Sequence, residues 1–189
     1  MASPPAGRAG FAAAAARLRV PLHFLLAVLL LVFARPTGRL LFAGAALVAV
    51  GLAVRAWAAG HLRRDQPLTT SGPYAYVRHP LYLGSTLVLA GFAVAGGRAW
   101  MGVMVAAYFV FFFLPVMRRE GQERQARAPG LYPEYARRVP ALMPYRGRYA
   151  NAGGTAFDWQ LFRSNREGRA ALGCAALLLL LYFRMRGVF

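Results

Sequence analysis

The stretch SGPYAYVRHPLYLG, Ser71 to Gly84, packs Tyr74, Tyr76 and Tyr82, a histidine between an arginine and a proline, and two glycines into fourteen residues. These types make an aromatic, hydrogen-bonding loop. Ser71-Gly72-Pro73 is a turn signal. His79 precedes Pro80, which drives it out of the α region. Pro80 itself suits the first turn of a helix, where its missing N–H costs nothing. A helix is therefore predicted to begin here, with free backbone N–H groups that attract carboxylates and other anions. Tyr82 and Ser85 fall near one face with His79. An interfacial aromatic belt, with Arg78 on lipid phosphate, would explain each tyrosine separately. It does not call for a histidine at a helix start.

A second polar segment, MRREGQERQARAPGLYPEYARRVPALMP, follows at Met117 to Pro144. Glu120 and Glu123 stand there in an arginine-rich surround. One reading pairs Glu120 with Arg124 and Glu123 with Arg127 along a helix, each pair contributing about 0.2–0.5 kcal/mol. The other gives Glu120 a ligand's hydroxyls or ammonium to bind. If the two hydrophobic runs between the segments form a hairpin, the start of one lies beside the end of the other. Glu120 then approaches His79, and a carboxylate, an imidazole, aromatic rings and an open helix N-terminus converge on one pocket.

The elements that must position these groups are hydrophobic helices. Apolar runs extend over Val20–Ala34, Leu40–Gly60 (interrupted by Arg55), Leu81–Gly97, Ala99–Met117 and Ala170–Phe183. A bilayer crossing needs about 20 residues, so the first run needs help from snorkelling Arg19 and Arg35. The fifth, the shortest, either spans with help from Arg169, Arg184 and Arg186 or lies in the interface. Arg98 marks a tight turn between the third and fourth. The expected fold is all-α and polytopic, with about five membrane helices. Its expected organisation is a basic tail at 1–19, a membrane core at 20–144, and an amphipathic surface segment plus a short hydrophobic helix at 145–189. In that last part Phe157, Trp159 and Phe162 suggest a surface helix anchored at the headgroups.

With 58% hydrophobic residues and a mean hydropathy of +0.41, the chain is too apolar for an ordinary soluble domain. Its net charge of +17 comes from 23 arginines and no lysine. They flank the apolar runs, so a membrane reading is favoured and no nucleic-acid partner is expected. Most lie on one side: Arg8, Arg17, Arg19, Arg63, Arg64, Arg78 and eleven from Arg118 to Arg169, against Arg35, Arg39, Arg98, Arg184 and Arg186 on the other. The positive-inside rule makes that side cytoplasmic, with the N-terminus and the pocket on it, in what is expected to be a bacterial inner membrane. Three scattered histidines and the single Cys174 offer no metal-ligand spacing, and no metal is expected. Arg55 is either a substrate contact, a structural partner or a snorkelling side chain.

The loop LTTSGPYAYVRHPLYLG, the hydrophobic hairpin, Glu120 and YPEYARRVPALMP together resemble the isoprenylcysteine carboxyl methyltransferases, within a wider group that includes membrane phospholipid N-methyltransferases. The resemblance covers roughly Leu40 to Pro144. It implies a small helical membrane enzyme, an S-adenosylmethionine-dependent methyltransferase acting on a lipophilic or lipidated substrate drawn from membrane lipids. Its cofactor contacts carry over onto Gln66, Pro67, Leu68, Thr69, Tyr74, His79, Pro80, Leu81, Tyr82 and Glu120. Where the prenylcysteine enzymes place a substrate-contacting arginine this chain has Val116, and Arg118 or Arg119 are the candidates to replace it. Gly121 stands where the family often has a second acid. The methyl acceptor (oxygen, nitrogen or sulfur) and the oligomeric state are left open. Two other readings stand beside this one. An NAD(P)H-dependent sterol-reductase-like enzyme shares the Arg-His-Pro loop but typically continues Asn-Tyr-Phe-Gly rather than Leu-Tyr-Leu-Gly. A non-enzymatic lipid-binding membrane protein could retain the fold.

Overall fold

The computed structural model describes residues 25–63, 66–165 and 167–188. The expected tail at 1–19 and the start of the helix expected from Val20 lie outside them. Among the described residues the chain is helical, with no strand. Helix α1 (residues 25–33) precedes α2 (Gly38–Ala59), which Thr37 caps through its hydroxyl. A 3-10 turn at Gly72–Ala75 leads into α3 (Pro80–Gly96). Helices α4 (Ala99–Tyr108) and α5 (Leu114–Arg127) run on from one another through a π-helical turn at Phe109–Phe113. Short helices α6 (Tyr132–Arg138) and α7 (Trp159–Ser164) precede the last, α8 (Glu167–Met185).

Three of these are long and apolar enough to cross a membrane: Gly38–Ala59, the continuous Ala99–Arg127, and Glu167–Met185. Pro80–Gly96 is apolar and shorter. Its 17 residues rise about 25 Å against a hydrocarbon core of about 30 Å. The fifth apolar run is thus longer than the sequence suggests, because Glu167 begins the helix and is buried there.

The central contact is an antiparallel seam between α2 and α3. Lipid tails are as apolar as leucine, so helices in a membrane associate through close packing rather than hydrophobic expulsion. Here glycines permit it. A Cβ on Gly51 would lie 2.7 Å from the Gly84 carbonyl oxygen, and one on Gly91 would lie 2.7 Å from the Gly44 carbonyl oxygen. Val48 and Val88 fill the space between these crossings. At the same seam Gly84 leaves room for the Arg55 stem, which a Cβ there would meet at 2.6 Å.

The other helices gather on this pair. Leu30, Ala34, Phe92, Ala95, Met101 and Leu181 form a core where α1, α3, α4 and α8 meet. Arg184 of α8 donates to the carbonyls of Val32 and Ala34, satisfying the end of α1. The turn between α3 and α4 is made by Gly97 at φ 69°, a left-handed conformation that suits glycine. Its Cα faces the Arg35 carbonyl so closely that any side chain would clash.

Pro115 explains the π turn. A proline inside a helix donates no hydrogen bond and crowds the carbonyl four residues back. The wider turn just before it, where the Leu114 N–H reaches the Phe109 carbonyl, accommodates that loss. The helix stays continuous, and Phe113 is turned against Tyr82, ring centroids 5.2 Å apart, edge to face.

The seam yields a direct test. Gly51→Leu or Gly91→Leu should separate α2 from α3 and lower stability by about 1–3 kcal/mol or more. Leucine at Gly102, where nothing lies within 4 Å of a Cβ, should be tolerated. Thermal unfolding of the three variants in one detergent checks this.

Candidate functional site

The site begins with the way the loop before α3 is held. Its backbone is tied down by the segment after α5. The Arg78 N–H donates to the Pro140 carbonyl at 2.8 Å and the His79 N–H to the Ala141 carbonyl at 3.0 Å. The Tyr135 hydroxyl donates to the Tyr74 carbonyl at 2.7 Å, and the Tyr149 N–H to the Ala75 carbonyl at 2.9 Å. Ala75, Tyr132, Tyr135, Val139 and Tyr149 pack around these bonds as a small core. The Tyr-x-x-Tyr-x-x-x-Val-Pro motif is therefore a brace. Its buried residues fix the loop, and burial keeps the Tyr135 phenol protonated, with its pKa raised.

The braced loop delivers His79 to the start of α3, with Pro80 in the first turn. Tyr82, in that same turn, donates its hydroxyl to Glu120 Oε1 at 2.7 Å. Arg124 holds Glu120 Oε2 at 3.2 Å and donates to the Arg78 carbonyl at 3.1 Å. His79 Nδ1 lies 3.8 Å from Glu120 Oε2, too far for a hydrogen bond. The hairpin thus brings the start of α3 beside α5, and Glu120 beside His79. Burial pushes the His79 imidazole down to about 3, aided by the Arg124 and Arg78 guanidiniums. The ring is neutral at physiological pH, and its Nδ1 is buried with no hydrogen-bond partner among the described residues.

These groups line a cavity of about 760 Å³. All ten residues marked out in the sequence border it: Gln66, Pro67, Leu68 and Thr69 on the connection after α2, Tyr74 in the 3-10 turn, His79, Pro80, Leu81 and Tyr82 at the start of α3, and Glu120 on α5. Arg118 and Arg119 do not border it. Both are exposed, and Arg119 holds Glu123 at 2.8 Å. The expected pair Glu120–Arg124 forms, but Glu123 turns to Arg119 rather than to Arg127.

The far wall was foreseen only in Arg55, left open between a substrate contact, a structural partner and a snorkelling side chain, and in Ser85. Arg55 donates Nε to Glu167 Oε2 at 2.9 Å and Nη2 to Glu167 Oε1 at 2.8 Å, a two-point fork between α2 and α8. Its Nη1 donates to the Ser85 hydroxyl. Arg55, Ser85, Asn165 and Glu167 all border the cavity, as does Phe113. Nothing in the sequence tied Arg55 to Glu167, 112 residues away.

The site and fold define an integral-membrane-type helical protein with a polar cavity at one end of its helices. The family model described as phospholipid methyltransferase matches residues 38–123. The match begins at α2 and ends just past Glu120, so it contains the seam, the loop and the glutamate. The chain is 34% identical over 140 residues to the cobalt-zinc-cadmium resistance protein CzcN of Cupriavidus metallidurans, covering 68% of this chain and 64% of that protein. It is 30% identical over 103 residues to the nickel-cobalt-cadmium resistance protein NccN of Alcaligenes xylosoxydans xylosoxydans, covering 53% and 46%. The chain thus spans less than two thirds of either relative. No solved structure matches it.

Two outcomes follow from the geometry. Tyr135→Phe removes the bond to the Tyr74 carbonyl and leaves that carbonyl buried, so stability should fall by about 1–2 kcal/mol, read by thermal unfolding. His79 gives a pH signature. Between its unfolded value near 6.5 and about 3, the unfolded chain binds a proton that the folded chain refuses. Stability is therefore lost as pH falls through that window. From pH 7 to pH 5 the wild type should lose about 2 kcal/mol more than His79→Gln, in paired unfolding curves.

Proposed function

We propose that the protein is a membrane methyltransferase that uses S-adenosylmethionine as donor and methylates a lipophilic substrate. The observation that carries this reading is that all ten residues onto which the resemblance carries the cofactor contacts border one cavity, within the stretch that the phospholipid methyltransferase family model matches. The chemistry of the wall fits the donor. The buried, unpartnered His79 Nδ1 and the open first turn of α3 suit its carboxylate. Glu120 has accepted two hydrogen bonds, and a carboxylate offers about four acceptor positions. It keeps capacity for an ammonium or a ribose diol. Tyr74 and Tyr82 offer ring surface for adenine, or for a cation through its attraction to the ring face. When bound, the cofactor supplies an electrophilic methyl group on a sulfonium.

The chain's own part is alignment and exclusion of water, since an in-line displacement depends on these more than on a base. Tyr82 is fixed between Glu120 and Phe113, and His79 stays neutral. The arginine asymmetry places the cavity on the cytoplasmic side in this reading. The relatives are named for resistance to cobalt, zinc, cadmium and nickel. With a net charge of +17, this chain repels free divalent cations. We infer that its contribution to such a trait is a change in membrane chemistry.

The test is binding of S-adenosylmethionine and S-adenosylhomocysteine to the detergent-solubilised protein. Both should bind the wild type, and Glu120→Ala should weaken binding at least about tenfold, the cost of one charge-assisted contact. Stabilisation by NADPH instead, or by neither cofactor, would overturn the reading. Labelled-methyl transfer on native membranes would then identify the acceptor.

A further inference from the structure

The end of the helices opposite the donor cavity is rich in arginine. Arg35 and Arg39 lie at the break between α1 and α2, Arg98 in the turn between α3 and α4, and Arg184 and Arg186 at the end of α8. Contacts to the backbone draw these stretches together. The Arg35 N–H donates to the Gly96 carbonyl at 2.9 Å, Gly97 faces the Arg35 carbonyl, and Arg184 donates to the carbonyls of Val32 and Ala34 at 2.8 and 2.9 Å. None of the chain's six acidic residues falls in 34–40, 97–100 or 183–188. No ion pair among the described residues involves any of the five arginines. Arg98 Nε is buried with no hydrogen-bond partner among the described residues. A buried charged donor left in that state is costly and calls for an acceptor.

Beside this cluster lies an apolar groove of about 210 Å³. Leu26 and Leu30 of α1, Phe92 of α3, Trp100 and Met101 of α4 and Cys174 of α8 line it, and no charged residue does among those described. The groove reaches the arginine end. The Met101 N–H donates to the Arg98 carbonyl at 3.0 Å, and a Cβ on Gly96 would meet Met101 at 2.4 Å and Leu30 at 2.8 Å. Trp100 is 40% exposed and meets Phe33 edge to face, centroids 5.9 Å apart, as aromatic side chains at a membrane interface do. The volume falls below the roughly 300–1,000 Å³ of ordinary ligand pockets, which suits one narrow chain rather than a ring system.

We infer that this end of the protein binds an anionic phospholipid, with its phosphate among the arginines around Arg98 and one acyl chain in the groove. A guanidinium fork matches phosphate oxygens in two-point hydrogen bonds, and basic pockets between membrane helices take anionic lipid heads. Charge decides between heads. A zwitterionic lipid brings an ammonium as well, and no described acidic side chain at this end receives it. This lipid is not the methyl acceptor. The 17 residues of α3 separate the arginine end from His79 by about 25 Å. The inference therefore stands independently of the methyltransferase reading.

The test is thermal unfolding of the maltoside-solubilised protein with added dioleoyl phosphatidylglycerol, dioleoyl phosphatidylcholine or inorganic phosphate. Phosphatidylglycerol should stabilise at a micellar mole fraction about tenfold below that of phosphatidylcholine. Inorganic phosphate at the same molar concentration should not stabilise. Arg98→Gln should remove the preference, and Arg118→Gln, an exposed arginine at the other end, should keep it. Should Arg98→Gln fail to fold, Arg35→Gln combined with Arg39→Gln, both exposed, should reduce the preference instead. Cys174, the one cysteine of the chain, reports on the groove it lines: phosphatidylglycerol should slow its alkylation by N-ethylmaleimide. Equal responses to the two lipids, or an equal response to inorganic phosphate, overturns the inference. So does a preference that survives in the folded arginine variant or falls as far in Arg118→Gln, and so does alkylation of Cys174 unchanged by the lipid.

Discussion

At the seam of α2 and α3 the two backbones touch, Gly51 on the carbonyl of Gly84 and Gly91 on that of Gly44. In a membrane such contact is what holds two helices together, since no hydrophobic force acts between surfaces already in oil. The consequences reach the site. Because the helices run antiparallel, the end of α2 and the start of α3 share one end of the molecule. The 20-residue connection between them must cross that end, and it supplies most of one wall. Because Gly84 has no side chain, Arg55 can lie along α3 and reach Ser85 instead of rising to the interface. The same seam thus places the helix start and the arginine on opposite walls of one cavity.

Further layers make the site rigid without filling it. The α6 brace satisfies the loop backbone through Tyr135, Pro140 and Ala141, so loop side chains are released from that duty. Pro140 suits its position: it lacks an N–H but offers the carbonyl that Arg78 needs. On the other side α7 clamps the end of α2. Asp158 caps α7 and donates its N–H to the Gly60 carbonyl, and Asn165 donates to that of Ala59. Phe157 lies over Gly60 so closely that a Cβ there would collide with its ring. The clamp ends one residue before Arg166, and Glu167 then meets Arg55.

Local patterns made much of this legible. Long apolar runs declared the cores of the helices, although the one from Ala99 continues past Met117 to Arg127, and Pro80 declared the start of α3. A hairpin between Leu81 and Met117 was enough to bring Glu120 to His79. What escaped depends on contacts distant in the chain or on competition between near-equal partners. Glu123 had arginines at both i−4 and i+4, and pair energies of a few tenths of a kcal/mol do not choose between them. The π turn requires knowing that the helix survives Pro115, which a proline does not announce. Nothing local to Tyr135 announces that its hydroxyl serves a carbonyl 61 residues away. Gly121 read as a missing acid. In the fold a Cβ there would stand 3.0 Å from the Tyr132 hydroxyl, so the position is cramped by the brace.

The methyl transfer proposed for this cavity would be sensitive to the charges around it. Transfer from a sulfonium to a neutral nucleophile moves a positive charge from donor to acceptor and disperses it midway. A fixed, unpaired cation close to that path would oppose it, and the opposition would grow as water is excluded and the dielectric falls. Four arginines border the cavity, Arg55, Arg63, Arg124 and Arg127, and a glutamate holds each of the two that reach its inner groups, Glu120 on Arg124 and Glu167 on Arg55. The His79 imidazole is neutral because burial, aided by the Arg124 and Arg78 guanidiniums, suppresses its protonation. Arginine thus helps keep His79 uncharged, while the charges of Arg124 and Arg55 are each offset by a glutamate. An imidazole with a pKa near 6.5 would have made the site's charge vary across physiological pH. The arrangement found here keeps it constant.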